Sequence, residues 1–425
     1  MSTFYEFFAG AGLARLGLGE DWACLWANDN DPKKRDVYTH NFGDGHFSSD
    51  DIAQVNASSL PPCADMAWAS FPCTDLSLAG WQRGMLARNS GTFWAFWRIM
   101  RDLHDRGERP PLIVIENVVG LLNHDNFRGL CAALSALHMK FGALVMDAER
   151  FLPQSRPRVF LVAVDADARV EHLTTKTPID NPWVTKALLA AHARLPKELQ
   201  RVWRWWQLPA PPSRALGLAD IIENVPEDSN LWNSDEYTQR LLGMMTPKNA
   251  AKVAQPLLTG KAVGTLYRRM RDGVQRAEVR FDDVAGCLRT PRGGSSRQTL
   301  VIVTPNRVWS RLLTPREAAR LMGVPDRFWL PDSYNDAYLA MGDAVAVPVV
   351  AWLSDHLLLP LHATIAADAE QDRIRLVSPK MTTIKRIAAH RKRAEKLAAT
   401  WEAVRWSALP NNAYAKLMAK RHLQS

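Results

Sequence analysis

Short apolar runs alternate with helix-period segments over the first part of the chain. Residues 3–8, 23–27, 66–69, 112–115, 142–146 and 159–164 read as strands. Between them, segments such as 93–103 and 126–137 space their apolar positions as helices do. This βαβα order predicts an α/β fold built on a doubly wound, mostly parallel sheet. In such sheets ligands bind beyond the carboxyl ends of the strands, where strand order reverses.

The pattern changes near Asp165. From there to about Val308 periodicity is poor, with an Arg-Trp cluster (Arg201-Val202-Trp203-Arg204-Trp205-Trp206), prolines at 209, 211 and 212, and a Gly293-Gly294-Ser295-Ser296 loop. A smaller, irregular, β-rich domain is expected over 166–308, following a first domain over 1–165. Helical spacing returns at 314–322 and 336–359, so 309–360 is expected to rejoin the first domain. Residues 361–425 are expected to form a basic helical extension, with Lys385, Arg386, Arg391, Lys392, Arg393 and Lys396 close together in sequence. No repeat of solenoid period is present.

Composition narrows the classes. With 425 residues, 47% hydrophobic and 23% charged, the chain can bury at least one large core and is not a disordered polymer. No stretch approaches the roughly 18 uncharged apolar residues of a membrane span, and the N-terminus lacks the basic start and apolar run of a secretion signal. Cys24, Cys63, Cys73, Cys131 and Cys287 stand singly, which argues against both a zinc site and a disulfide framework, so no metal is expected. A reducing cytoplasm suits such thiols. Lys+Arg of 53 against Asp+Glu of 44 leaves +9, which points toward a polyanionic partner, nucleic acid first.

Candidate chemistry sits just after the strands. Phe8-Ala9-Gly10-Ala11-Gly12 allows a tight turn and close approach of a ligand to the backbone, although a plain strand–helix turn uses the same residues. Asn28-Asp29 ends the second strand, where an acidic side chain can hold ribose hydroxyls. Phe71-Pro72-Cys73 brings a thiol to the crevice mouth, and Glu116-Asn117-Val118 brings a carboxylate to the same sheet edge. A thiol nucleophile facing a proton-handling carboxylate suits covalent attack on an electron-poor ring. Arg156 and Arg158, two apart on an extended segment, are expected to point to one side, toward phosphate or carbonyl oxygen.

These blocks, in this order, resemble the cytosine-5 DNA methyltransferases of bacterial type. Gln154-Ser155-Arg156-Pro157-Arg158 follows the first three, and two closing blocks complete the set: residues 311–323, starting Arg311-Leu312-Leu313-Thr314-Pro315-Arg316-Glu317, and Gly342-Asp343-Ala344-Val345-Ala346-Val347-Pro348. The resemblance covers roughly residues 1–355. It implies S-adenosylmethionine as cofactor, held by Phe8, Ala9, Gly10, Gly12, Asp29, Asn30, Asp51, Ile52, Pro72, Phe93 and Ala344. Phe8 is then near the adenine, Asp29 on the ribose, and Asp51-Ile52 beside the adenine. It implies Cys73 as the nucleophile at C6 of cytosine, Glu116 at N3, and Arg158 near the base with Arg156 close by. The substrate implied is a specific site in double-stranded DNA with its cytosine flipped out.

Three positions depart from the family pattern. Thr74 stands where Gln commonly follows the nucleophile, Asp343 where Asn follows the glycine of the last block, and Leu13 where many relatives have Gly. None removes a reacting group, so an active enzyme is expected. A nicotinamide oxidoreductase explains the sheet and glycine turn but not the Cys, Glu and Arg at successive strand ends. A non-catalytic DNA-binding module conflicts with the presence of all three. A tRNA cytosine-5 methyltransferase shares the catalytic blocks, but the long 166–308 region and the lack of a Cys-Phe-Thr tripeptide argue against that branch. DNA contacts are expected from Arg201, Arg204, Arg268, Arg269, Arg271 and Arg297. The Trp203–Trp206 cluster is expected to pack in a core instead. The tail either packs as a helix or adds non-specific DNA affinity. A monomer in the bacterial cytoplasm or nucleoid is expected, with a restriction endonuclease as a possible partner in a restriction-modification system.

Overall fold

Strands buried on both faces are written as unbroken apolar runs, and Leu112–Val118 (LIVIENV) and Met139–Asp147 (MKFGALVMD) have that character. In the computed structural model, which describes residues 1–72, 91–123, 125–211, 213–288 and 297–377, both lie in a seven-stranded sheet. Its strands are β1 (Ser2–Phe7), β2 (Trp22–Asn28), β3 (Phe47–Ser48), β4 (Met66–Ala69), β5 (Leu112–Val118), β6 (Met139–Asp147) and β7 (Pro157–Asp165). The order is β3-β2-β1-β4-β5-β7-β6, with β7 antiparallel to β5 and the pairs from β3 through β5 parallel. The expected α/β sheet is present, and most strands run one to three residues beyond their apolar runs.

The chain divides into two units. The first holds Met1–Met146, Pro157–Ala210 and residues 349–377; the second holds Asp147–Arg156 and Pro211–Pro348.

In the first unit, helices α1 (Leu13–Leu18), α2 (Pro32–Phe42), α3 (Thr92–Asp105) and α4 (Asp125–Ala136) alternate with the strands. Helix α3 turns Phe93, Phe96, Ile99, Met100 and Leu103 inward, the stripe expected of a helix lying on a sheet. Residues 166–210, expected with the β-rich domain, belong here. Trp203, Trp205 and Trp206 are all buried, the first two inside the sheet's hydrophobic core. The Arg204 amide donates to the Phe141 carbonyl at 2.7 Å, and the Trp206 indole donates to the Val162 carbonyl. Gly142 makes this packing possible, because a Cβ there would lie 1.8 Å from the Arg204 carbonyl oxygen. Helices Val347–Leu353 and Leu359–Val377 are joined by a π-helical turn, Ser354–Leu358. By length and composition alone the helical stretch Tyr334–Gln371 is apolar enough to cross a membrane, contrary to expectation. Its Leu353, Leu357, Leu358 and Leu361 are completely buried, so these apolar positions are core positions of the first unit.

The second unit is built on an antiparallel sheet, β11-β10-β12-β13, comprising β10 (Ala262–Arg271), β11 (Val274–Arg280), β12 (Thr299–Val303) and β13 (Val308–Leu312). A short separate pair, β8 (Thr174–Thr175) with β9 (Trp205–Trp206), belongs to the first unit. Strands β10 and β11 form a two-residue hairpin closed by Asp272-Gly273, both at positive φ (50° and 74°), the backbone that a right-twisted hairpin requires. Leu266, Ala277, Val279, Val301 and Val303 form the core of this sheet with Leu241, Met245 and Val253.

Buried ionic packing closes the second unit. Arg311 and Glu317, 1% and 0% exposed, form a bidentate pair at 2.5 and 2.7 Å. Glu317 also accepts the amides of Thr314 and Glu223, the first as part of a helix capping box. Truncating Glu317 would strand a buried guanidinium. Glu317→Ala is expected to cost about 3–5 kcal/mol in unfolding free energy, measured by urea denaturation.

Candidate active site

Where the order of the first sheet reverses, β1 and β4 are neighbours, and the segments leaving their carboxyl ends carry the first motif residues. Strand β1 leads into Phe8, at φ 59°, and then Gly10 at φ 57°. A Cβ on Gly10 would meet nothing within 4 Å, so the turn leaves open room there. Gly12 is different: a Cβ would meet the Phe42 ring at 2.4 Å, so its small size serves packing. Ala9 is buried and hydrogen-bonds the Asn28 carbonyl, tying the turn to the end of β2.

Asp29 anchors this turn. Its carboxylate accepts the Gly10 amide at 2.8 Å with one oxygen and the Asp31 amide at 2.9 Å with the other. Phe8, half-buried, meets Phe71 edge-on at 6.2 Å, and Phe71 packs on Phe93 at 5.4 Å. Ile52 is buried, whereas Asn30, Asp51 and Pro72 are exposed. An open glycine turn, a half-exposed ring and nearby carboxylates fit a nucleoside-bearing cofactor. Ala344 belongs to the second unit, where its carbonyl accepts from Arg156.

Strand β5 runs through Val118 instead of ending at Ile115, because β7 pairs antiparallel along its whole length. Glu116 and Val118 share a face, and Arg158 lies opposite Val118 in register. That diagonal suits a long side chain, and Arg158 Nε meets Glu116 Oε1 at 3.1 Å, with side chains 14% and 10% exposed. The neighbouring Asn117 is buried and donates from its amide to the Phe71 carbonyl at 3.0 Å. The bond ties β5 to the backbone two residues before Cys73. Asn117 has no role that the sequence alone assigns; the available signal is a polar residue between Glu116 and Val118 at the end of an apolar run. Cys73 and Thr74 lie outside the described residues.

Arg156 lies outside the strand that was expected to align it with Arg158. It precedes the first residue of β7, so strand alternation does not align it with Arg158. Its guanidinium, 1% exposed, donates to the carbonyls of Leu288, Gly342 and Ala344 in the second unit. Gln154 behaves similarly, bridging the Leu321 carbonyl and the Leu288 amide. These residues join the closing blocks inside their own unit. Gly323 meets Pro348 there so closely that a Cβ would lie 2.5 Å from the proline ring.

The arginines expected on DNA divide. Arg201 and Arg204 are in the first unit, and Arg204 donates to the carbonyls of Arg201 and Trp203. Arg297 bonds Asn335 and lies 5.0 Å from the centre of the Tyr334 ring. Arg268, on β10, follows the core-facing alternation of Leu266, whereas Arg269 and Arg271 occupy the other face.

With this geometry established, comparison with known proteins identifies the chain. The family model for C-5 cytosine-specific DNA methylase matches residues 2–358. The chain belongs to that family. Among relatives, type II methyltransferase M.NlaX of Neisseria lactamica is 27% identical over 373 residues, covering 85% of this chain and 98% of its own. Type II methyltransferase M.HpaII of Haemophilus parainfluenzae is 26% identical over 370 residues, covering 82% and 87%. In fold the chain is similar to the S. pombe Dnmt2 methyltransferase (TM-score 0.54, 15% identity, 85% and 99% covered). The Entamoeba histolytica methyltransferase EhMeth is similar too (TM-score 0.55, 15% identity, the same coverage). As a C-5 methylase the chain is a DNA (cytosine-5) methyltransferase, of a family that generally uses S-adenosylmethionine.

Glu6, on β1 beneath the turn, is a further polar residue that the sequence did not signal. It is 1% exposed, accepts the Arg15 amide with Oε1, and its Oε2 is a buried oxygen without a hydrogen-bond partner. Burial pushes its carboxyl up to about 8, against the opposing charge of Arg15. A carboxyl that holds its proton more tightly when folded stabilises most below its unfolded value near 4.5 and loses that contribution as pH rises to about 8. Glu6→Gln is therefore expected to flatten a decline worth up to about 1.4 kcal/mol per pH unit in that window. Urea denaturation of both proteins between pH 5 and pH 8.5 measures it.

Proposed function

We propose that this methyltransferase modifies cytosine within a short specific sequence of double-stranded DNA, with Cys73 as nucleophile and S-adenosylmethionine as donor. The observation that carries this reading is the Glu116–Arg158 pair, on a strand bonded through Asn117 to the segment that leads into Cys73. When bound, the cofactor supplies the methyl group. Phe8, Gly10 and Asp29 would hold it, with Ile52 at the pocket wall.

Cytosine C5 is unreactive until C6 is attacked. Addition of the Cys73 thiolate at C6 turns C5 into an enamine-like carbon able to take a methyl group. Glu116, as the carboxylic acid, gives its proton to N3, where negative charge would otherwise build up, and takes it back when the ring re-forms; Arg158 fixes the carboxyl group in place. Loss of the C5 proton and expulsion of the thiolate then restore the aromatic ring. A stacked base is closed above and below, so the nucleotide must leave the helix first.

The second unit is the natural source of sequence recognition, through arginines of β10 and Arg297. The names of the type II relatives support a restriction-modification setting, with a cognate endonuclease as partner. A monomer acting on DNA in the bacterial cytoplasm fits this role.

Bisulfite sequencing of plasmid DNA from a methylation-free host tests the proposal. The native chain is expected to protect cytosines at one recurring short motif, and Cys73→Ser to protect none. Glu116→Gln should lower methyl transfer by about 10²–10⁴-fold. A fully unprotected plasmid from well-expressed protein would reject the DNA substrate and turn attention to tRNA.

A further inference from the structure

The outer face of the β10–β11 hairpin carries a charge arrangement that folding alone disfavours. Leu266, Ala277 and Val279 point into the core, so Tyr267, Arg269 and Arg271 lie on the opposite face with Glu278 and Arg276 of β11. In register, Arg269 stands directly across from Arg276, and like charges so placed weaken a sheet. A polyanion against this face would relieve that repulsion.

One carboxylate organises the cluster. Glu278 Oε2 accepts the Tyr267 hydroxyl at 2.5 Å and faces Arg269 Nε at 3.4 Å, while Oε1 accepts Arg271 Nε at 3.1 Å. Arg269 also donates to the Tyr267 hydroxyl at 2.6 Å and lies 4.5 Å from the centre of that ring. Burial alone would raise the Glu278 carboxyl; the Tyr267 and Arg271 hydrogen bonds and the charge of Arg269 outweigh it and hold it below the usual range. The side chain is thus a firm anion. Arg271 spends Nε on it, which leaves the two terminal nitrogens for another acceptor on a side chain 53% exposed. A guanidinium fixed in direction at Nε reads the paired acceptors of guanine far better than a mobile one.

We infer that Glu278, with Tyr267, is a positioning residue that holds Arg269 and Arg271 as base-reading forks, so that this hairpin sets the sequence context of methylation. The inference rests on the proposed DNA reading of the second unit. A carboxylate amid arginines lowers general affinity for phosphate, and its gain is discrimination. Glu278→Gln keeps the shape and removes the charge that aligns both arginines. Arg271→Lys keeps the charge and removes the fork.

The test is bisulfite sequencing of plasmid DNA methylated by the native chain, Glu278→Gln and Arg271→Lys, with thermal melting of each protein. In both variants methylation should spread to sites differing from the native motif by one base pair. The native preference over such sites should fall by about 5- to 150-fold. In nitrocellulose filter binding to non-target duplex, Glu278→Gln should bind more tightly, with a steeper salt dependence. An unchanged motif in a folded variant overturns the inference, as does complete loss of methylation by folded variants, which would make the cluster a determinant of turnover. If Glu278→Gln does not fold, Arg271→Lys decides the question alone. Absence of methylation by the native chain would instead reject the proposed function.

Discussion

A sheet covered on both faces has no room for polar chemistry except at the ends of its strands. Everything placed at the catalytic edge follows from that constraint. Interior strand positions such as Ile113, Val114, Leu161 and Val162 are almost wholly buried, and the polar residues Glu116, Asn117 and Asp29 appear only where strands finish. Because β7 runs against β5, the start of one strand meets the end of the other. An arginine before one apolar run and a glutamate after another therefore become partners although they are distant in sequence.

Charges buried in either unit are matched or left costly. Arg311 and Glu317 match each other in both hydrogen bonds, and nearby backbone amides take up the rest of the carboxylate. Glu6 is not so matched: it satisfies one backbone amide and sits protonated into the neutral range. The contrast separates packing that stabilises the fold from packing that shapes the floor of a turn meant for a ligand.

Six strands of the first sheet were legible as apolar runs of strand length; β3, only Phe47–Ser48, is too short to leave such a pattern. Gly10, Asp29, Glu116 and Arg158 were legible for a related reason, since each stands within two residues of such a run. Other features depended on information that local pattern does not hold. The burial of Trp203, Trp205 and Trp206 was expected, but which strand they pack on was not, since that depends on Gly142 leaving space for the backbone beside them. Arg156 and Arg158 differ by two positions, yet the strand begins between them, and a boundary of one residue decides their directions. The β10–β11 hairpin did carry a signal, Asp272-Gly273, but arginines on both sides obscured the alternation that marks a half-buried strand.

The contact at Gly142 also limits how such an enzyme could be rebuilt. Residues 166–210 look exchangeable in sequence, yet the backbone at Arg204 is seated where Gly142 of β6 has no side chain, so the segment and that strand fit as a pair. A chimera intended to transplant recognition between relatives would have its natural junction near Pro211. A graft starting at residue 166 would bring a foreign segment onto a strand shaped for another, and the catalytic sheet itself would be the casualty.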